Sequence, residues 1–409
     1  MLAQRVQFIT GNSDLRRLWI GRTTSVIGDR MFAVGAIWLA WSLTHSSAGV
    51  ACIILAESLP FLAWGALRKH LKFEVGVRML AVLDVARAVL LFGLLMLPFS
   101  GVLTKVAGVA LVASIAFVTA IFEPAFRTLI PELVPGEGRQ AYASFDLGGR
   151  LARIAGPLLA AAITWAGSSR ALLAADIATF LISALCLVRT VQPRPADTLA
   201  HQAAPQTEEA RLPQLARALI RANGLGTFAL IVWWLALPIA AAHHPHGAST
   251  YSLCIAACAA GGIAANLLLS RAPDRHEPIV LCTAGWGVTA LCIGALTMSP
   301  DPLVLQGISF VCGFALAGAA LGFSFHAASL AMPERNRLFQ RDQVIMRGAG
   351  AGGAVVGGVA LEYLPHVALV STAALLAIFA GMIWRSGFRS KDSAGDVQHP
   401  LVALGDNRT

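Results

Sequence analysis

Long apolar segments alternate with short polar ones along almost the whole of this chain. A helix needs about 20 apolar residues to cross the hydrocarbon layer of a bilayer, and twelve segments approach that length. They lie at about residues 16–43, 48–67, 78–98, 103–127, 141–166, 170–189, 217–242, 249–270, 277–298, 302–330, 342–363 and 366–386. The pattern predicts an all-α polytopic membrane protein with twelve transmembrane helices, because a helix satisfies its own backbone hydrogen bonds in lipid.

The longest polar connection, at residues 190–216, divides the twelve segments into two sets of six. Its composition is typical of a mobile linker. The two sets share a layout, because a segment with proline and glutamate precedes a glycine-rich one near Pro131 and again near Pro333. We therefore predict two pseudo-symmetric six-helix halves. The predicted divisions are an N-terminal segment at 1–15, a first half at 16–189, the linker at 190–216, a second half at 217–386 and a tail at 387–409.

Composition supports insertion in a lipid bilayer. Of the 409 residues, 56% are hydrophobic and 13% are charged, whereas about 25% of the residues of a soluble domain are charged. The formal net charge is +9, but the basic residues are scattered between apolar segments, so we expect no nucleic-acid partner. All seven cysteines lie inside apolar segments, and we expect neither a metal site nor a cofactor.

Lysine and arginine concentrate in the connections on one side of the predicted membrane, and the other side has only Lys105 and Arg170. Basic connections stay in the cytoplasm, so both termini and the linker are expected to be cytoplasmic. Residues 1–14 are polar and include Arg5, which is not the pattern of a cleavable signal peptide. The first apolar segment is therefore expected to stay attached.

Two of the carboxylates within the apolar segments, Asp29 and Glu57, lie near the middle of their segments. Ionisable groups inside a membrane are costly and mark functional sites. Asp29 lies about fourteen residues into the first segment, or roughly 20 Å along a helix axis, near the middle of the bilayer. It is either a proton carrier or one member of a fixed ion pair with an arginine. Glu57 either shares the proton-carrying role or meets Arg22 or Arg30 from the neighbouring helix.

Arg150 and Arg153 are three residues apart in the fifth segment, so they share one face of a helix. They either offer a binding site to an anionic substrate, such as a carboxylate or catecholate, or neutralise Glu123, Asp146 or Glu57.

Two tryptophans, Trp38 and Trp233, lie in the first and seventh segments. They are either anchors at the membrane surface or aromatic walls of a substrate cavity.

Prolines and glycines near the end of the fourth segment and within the fifth predict bending points. Pro124 and Pro157 each remove a backbone hydrogen bond, and Gly156 allows close helix packing. We predict that Pro124, Gly156 and Pro157 act as a hinge of the first half.

Several segments resemble a known family when they are taken together and in order. They are Arg16 to Ser25 with Gly28-Asp29-Arg30, Asp84 to Ala88, Phe122 to Phe126 with Pro131 to Pro135, and Gly156-Pro157. They resemble the major facilitator superfamily, and within it the bacterial branch that contains enterobactin-type siderophore exporters and macrolide-efflux proteins. The resemblance covers the first half well and the second half mainly by its pattern of apolar segments. It implies a multi-pass protein of the bacterial inner membrane.

The resemblance also implies a cytoplasmic gate formed by Asp84, Arg87, Glu123 and Arg127, with a plain staple between helices as the alternative. The superfamily's usual loop between the second and third spans reads Gly65 to Glu74 here, and a basic residue, Lys69, replaces its usual aspartate. The usual ion pair of that loop is therefore not expected. The glycine pattern of antiporters in the fifth span is only partly present.

The sequence has no glycine-rich ATP-binding loop and no set of nucleophile and base residues, so we expect neither an ATP-driven pump nor an enzyme. We predict a secondary active transporter, expected to be monomeric, that exports a siderophore, a drug-like compound or a secondary metabolite by proton-coupled alternating access. The alternatives are an importer of a nutrient or iron chelate with the same fold, and a membrane scaffold or sensor that transports nothing.

Overall fold

The computed structural model describes residues 11–67, 76–98, 100–133, 138–166, 169–190, 212–269, 278–298, 301–328, 330 and 332–395. Nearly all of these residues belong to twelve helices. The helices are α1 (Ser13–Thr44), α2 (Ser47–Leu67), α3 (Val77–Met96), α4 (Val102–Leu133), α5 (Gly138–Trp165), α6 (Ser169–Val188), α7 (Gln214–Ala242), α8 (Gly247–Leu269), α9 (Pro278–Ala295), α10 (Pro302–Ala328), α11 (Met332–Tyr363) and α12 (Pro365–Gly395). A short 3-10 turn, Leu296–Met298, follows α9.

Eleven of the twelve helices in the described part of the chain are long and apolar enough to cross a membrane. The exception, α5, has 28 residues, but Arg150, Arg153 and other charged residues interrupt its apolar character. It packs against α1 and α8 within the same bundle. The predicted all-α membrane protein with twelve helices is confirmed.

Successive helices connected by short turns run in opposite directions. Only His45 and Ser46 separate α1 from α2, for example. We call the end of the bundle at which α1 begins and α12 finishes the terminal end. The opposite end, where α1 turns into α2, is the far end.

Helix packing is consistent with the two predicted halves. Helices α1 to α6 form the first half, in which α6 packs against both α1 and α3. Helices α7 to α12 form the second, in which α10 packs against α8 and α9, and α7 against α11 and α12. The halves meet along two seams, one between α2 and α11 and the other between α5 and α8.

Glycines spaced seven apart bring α1 close to α6. A Cβ atom at Gly21 would lie 2.7 Å from Cys186 Cβ, and one at Gly35 would lie 3.0 Å from Leu172 Cδ1. A Cβ atom at Gly28, between them, would collide with the side chains of Asp176 and Thr179. Residues seven apart recur on one face of a helix, so this glycine stripe fixes which residues of α1 face the rest of the half.

Several helices are longer than the apolar segments that predicted them. The fourth apolar segment is predicted to end near residue 127, but α4 continues through Pro131 and Glu132 to Leu133. Likewise α11 begins at Met332, and α12 continues to Gly395 into the predicted tail. An apolar-length criterion detects only the part of a helix in lipid, and these helices extend into water. Residues 68–75, which include most of the altered loop, lie outside the described residues.

Candidate functional site

A buried arginine, Arg87 of α3, is the centre of the polar interior of the first half. Its side chain is fully buried and forms an ion pair with Asp84, which is also fully buried and lies one helical turn earlier. Its guanidinium carbon lies 4.4 Å from the centre of the Phe122 ring and 4.3 Å from that of Phe180. A desolvated cation–π contact contributes about 2 kcal/mol. The guanidinium is therefore fixed by one carboxylate and two rings.

Asp29 of α1 is the second carboxylate at Arg87. Its Oδ1 atom lies 3.5 Å from Arg87 Nη1, and its side chain remains 25% exposed. The residue stands at the middle of α1, as the sequence predicted. The geometry includes features of both interpretations of Asp29, because the carboxylate has a cationic partner and is also reachable from water.

Asp176 of α6 is a third carboxylate in this region, and the sequence analysis missed it. Its side chain is fully buried, and the hydroxyl of Thr179 donates to its Oδ1 atom at 2.9 Å. The charges of Asp29, Asp84 and Arg87 all act on it. The available signal was an aspartate inside the sixth apolar segment, the same signal that identified Asp29. We refer to Asp29, Asp84, Arg87 and Asp176, with the Phe122 and Phe180 rings, as the Arg87 cluster.

A second ion pair lies beside the Arg87 cluster. Arg22 of α1 pairs with Glu123 of α4, and its guanidinium carbon lies 5.3 Å and 5.4 Å from the ring centres of Phe122 and Phe126. The family resemblance implies a gate in which Glu123 acts with Arg127, whose side chain lies outside the described residues. The partner that the structure describes for Glu123 is thus on α1, seven residues before Asp29.

Charged side chains also lie midway along α1, α2 and α5. Arg30 is two residues beyond Gly28, or about 200° around the helix, so it lies on the face of α1 away from α6, and its side chain is exposed. Glu57 of α2 is partly buried, and its carboxyl group interacts electrostatically with Arg30 and Asp29. Arg150 and Arg153 of α5 are exposed as well, and each also interacts with other parts of the chain.

Hydrogen bonds seal the far end along the α2–α11 seam. The Oε2 atom of Glu362 accepts from Ser46 Oγ at 2.8 Å, Ser47 N at 2.9 Å and Ser47 Oγ at 3.0 Å. Ser47 Oγ also donates to the backbone oxygen of Gly358 at 2.8 Å. A Cβ atom at Gly358 would lie 2.7 Å from Ala51 Cβ, so the two helices touch closely here.

The α5–α8 seam is closed at the far end in the same way. Ser249 Oγ donates to the backbone oxygen of Ala161 at 3.1 Å and lies 3.2 Å from Thr164 Oγ1. The rings of Trp165 and His246 stack with their centres 4.2 Å apart. Both seams are thus closed at the far end, and we call the space between the two halves the central space.

The two tryptophans predicted at the substrate site occupy different environments. Trp38 stacks on Tyr251 of α8 with the ring centres 6.2 Å apart, which adds to the contact between the halves. Trp233 is fully buried in the core of the second half. In this conformation Trp233 does not reach the central space, because its neighbours enclose the whole ring.

The predicted hinge residues lie inside continuous helices. α4 passes through Pro124, and α5 passes through Gly156 and Pro157. Gly156 has a packing role, since a Cβ atom there would lie 2.9 Å from the backbone oxygen of Ile27 and close to Arg30 Cβ. The helix carrying Arg150 and Arg153 is thus held directly against the helix carrying Asp29 and Arg30.

Known structures with the same architecture include several transporters. A bacterial homologue of the iron transporter ferroportin, in an inward-facing state, is 14% identical, with 90% of this chain and 98% of that chain covered and a TM-score of 0.69. The nucleoside transporter NupG is 12% identical, with 91% and 99% covered and a TM-score of 0.69. A bacterial homologue of the human lysosomal transporter Spinster, inward-facing and unoccupied, is 15% identical, with 95% and 98% covered and a TM-score of 0.65. At these identities the likeness shows the fold.

A family model provides the sequence-level match. No curated protein sequence matches this chain, but the model described as "Transmembrane secretion effector" matches residues 11–404. This chain therefore belongs to the transmembrane secretion effector family, a family of major facilitator transporters.

Proposed function

We propose that this protein is a secondary transporter that exports a small amphiphilic molecule by alternating access, driven by protons. One observation carries the proposal. At the middle of a bundle that is sealed at its far end, a partly exposed carboxylate, Asp29, is ion-paired with a fully buried arginine, Arg87. A proton that reaches Asp29 from the central space removes its charge and weakens the link between α1 and α3.

Protons drive the cycle in this proposal by changing that link. With Asp29 ionised, its pair with Arg87 holds α1 in the arrangement that accompanies the far-end seal. With Asp29 protonated, α1 is released and the halves can rock between the two arrangements. A proton taken up while the far end is open is released at the terminal end, so protons move opposite to the substrate. Pro124 and the Gly156-Pro157 pair are the proposed hinge for this motion. Glu57, which interacts electrostatically with both Arg30 and Asp29, is the proposed second proton acceptor.

A cytoplasmic terminal end is part of the proposal, because the basic connections lie there. Asp84 and Arg87, together with Glu123 and Arg127, are the proposed gate on that side. The pairing of Glu123 with Arg22 extends the gate to α1. In this conformation, substrate from the cytoplasm has access to the central space.

The proposed substrate carries an anionic group on an apolar body. Arg30, Arg150 and Arg153 have exposed side chains and are the proposed binding groups, because a guanidinium binds carboxylate-like groups through paired hydrogen bonds. The surrounding helices are mostly apolar, which suits an amphiphile of the siderophore, drug or secondary-metabolite type.

Export is favoured over import by the family, whose description refers to secretion. Import is the second candidate, since the shared fold does not determine the direction of transport. Accumulation in a deletion strain separates the two, because loss of an exporter raises the internal concentration of its substrate and loss of an importer lowers it.

Purified protein in liposomes tests the proposal. With a pH gradient imposed, wild-type protein is expected to move anionic amphiphiles against their gradient and to carry protons the other way. Asp29→Asn should abolish this coupling. Asp14→Asn is the matched control, because Asp14 lies on the same helix but at its surface, paired with Arg17. Unchanged coupling in Asp29→Asn, or a wild-type protein that moves no protons with any substrate, would overturn the proposal.

A further inference from the structure

Asp176 is buried more deeply than Asp29 and has an incomplete set of partners. The Thr179 hydroxyl lies 2.9 Å from its Oδ1 atom and 2.8 Å from its backbone oxygen. Its Oδ2 atom is buried without a hydrogen-bond partner among the described residues. On α1, the Gly28 backbone lies directly against this carboxyl group, one residue before Asp29.

The charges around Asp176 do not balance if every carboxylate is ionised. Helix α3 presents Asp84 and Arg87, α1 presents Asp29, and α6 itself adds only the neutral Thr179 hydroxyl. Asp84 is ion-paired with Arg87, and Asp29 shares the same guanidinium. The nearby Arg22 is paired with Glu123. Asp176 is thus a third carboxylate for a guanidinium that two others already use.

The free-energy costs of burying the ionised and the neutral forms of Asp176 determine which form is present. An unpaired carboxylate buried in a protein is strongly destabilising even after relaxation. A neutral carboxyl group with one unsatisfied polar atom costs much less. The neutral form also removes the repulsion from Asp29 and Asp84.

We propose that Asp176 is a second proton-binding site of the transport cycle, which holds a proton in this conformation and passes it to Asp29. The inference rests on the proposed proton-coupled transport. The O–H bond of the Asp176 carboxyl group breaks, and the proton is accepted by the Asp29 carboxylate, which exchanges it with water. Asp176 becomes the ionised partner of Arg87 as Asp29 becomes neutral, so the total charge of the cluster is conserved.

The contact between Asp176 and Gly28 links this proton transfer to movement of α1. The glycine backbone of α1 covers the Asp176 carboxyl group. A shift of α1 relative to α6 therefore changes both the exposure of this carboxyl group and its distance from Asp29. Movement of the helix and movement of the proton are thereby linked.

Infrared spectroscopy of the purified protein tests the protonation directly. Wild-type protein is expected to show the carbonyl stretching band of a protonated carboxylic acid at neutral pH. Asp176→Asn should remove a component of that band, and the surface control Asp14→Asn should leave it intact. Thr179→Val retains the carboxyl group but removes its hydrogen bond, so the band should shift. A band unchanged in Thr179→Val and in any folded Asp176→Asn protein would overturn the assignment.

The number of protons moved per substrate, measured in liposomes, tests the role in the cycle. Asp176→Asn is expected to transport with a lower ratio of protons to substrate than wild-type protein. If wild-type protein couples to protons and Asp176→Asn has the same ratio, the inference fails and the proposed function stands. If wild-type protein transports without protons, the proposed function itself fails.

Discussion

The Nη1 atom of Arg87 lies 3.5 Å from the Oδ1 atom of Asp29, which ties the middle of α3 to the middle of α1. The two partners are held very differently. Arg87 is enclosed by Asp84 and two phenylalanine rings, whereas Asp29 is a quarter exposed. One partner is therefore fixed, and the other can exchange its proton with water.

Removing the fixed partner should destabilise the protein. Arg87→Met leaves Asp84 buried without compensation, and breaking a buried pair in this way costs about 3–5 kcal/mol. Thermal unfolding of purified protein in detergent measures the effect. Combining it with Asp84→Asn should restore most of the loss, because no uncompensated charge remains at that pair. Arg78→Met, at an exposed position of the same helix, is the control, and equal stability of Arg78→Met and Arg87→Met would contradict the role of Arg87.

The close contact between α1 and α6 predicts a cost for a single methyl group. Gly28→Ala places a Cβ atom in collision with the Asp176 and Thr179 side chains, and overpacking of this kind costs about 1–3 kcal/mol. Gly149→Ala is the matched control, since no atom lies within 4 Å of a Cβ atom there. Thermal unfolding and transport should both be impaired in Gly28→Ala alone. Similar behaviour of the two variants would mean that the α1–α6 contact is looser than described.

The far-end seal should depend on Glu362. Glu362→Ala removes the acceptor of three hydrogen bonds from Ser46 and Ser47. Glu362 is exposed, so water screens these hydrogen bonds and each contributes less than a buried one, but the far end should still open more often than in wild-type protein. The labelling rate of a cysteine at Ala48, with a reagent that cannot cross membranes, reports this opening.

Asp301→Asn is the control for that experiment, because Asp301 is an exposed carboxylate at the start of α10, also at the far end. Equal labelling of the Glu362 and Asp301 variants would show that the seal does not depend on Glu362.

The exposed arginines should set a preference for anions. Arg150→Gln and Arg153→Gln are expected to raise the KM for an anionic substrate about tenfold, the value of one charge-assisted hydrogen bond. The KM for an uncharged analogue should change little. Arg16→Gln, an exposed position at the terminal end of α1, is the control. An equal rise in KM for the charged and uncharged substrates would show that the two arginines stabilise the structure but do not bind the anionic group.

The sequence was sufficient to predict the twelve helices, because lipid imposes a minimum apolar length on each one. It also located Asp29 at the middle of α1, since depth follows from counting residues along a helix. Pairing between helices was not predictable in this way. Glu123 pairs with Arg22, about a hundred residues earlier, because α1 and α4 each turn a charged face towards the same interior.

Asp176 shows a different limit of prediction from the sequence. Its sequence neighbours are apolar, as those of Asp29 are, but its significance comes from α1 and α3, which bring Gly28 and Arg87 beside it. Trp233 shows the converse, since its position in the seventh segment indicated either a membrane-surface anchor or a cavity wall, and the packing of the second half buries it. Rotation of each helix about its own axis decides both cases, and apolar segments without clear periodicity do not define that rotation.

The central claim is that the protonation state of Asp29 determines which end of the bundle is open. Spin labels at Leu103 and Leu303 report the distance between the halves at the far end, because both positions are highly exposed there. Labels at Leu67 and Val344 report the distance nearer the terminal end.

Lowering the pH should lengthen the Leu103–Leu303 distance and shorten the Leu67–Val344 distance in otherwise wild-type protein, as measured by double electron–electron resonance. Asp29→Asn should show the low-pH distances at every pH, because its side chain carries no charge. Distances that do not change with pH in the wild-type background, or that respond equally in Asp29→Asn, would contradict the claim.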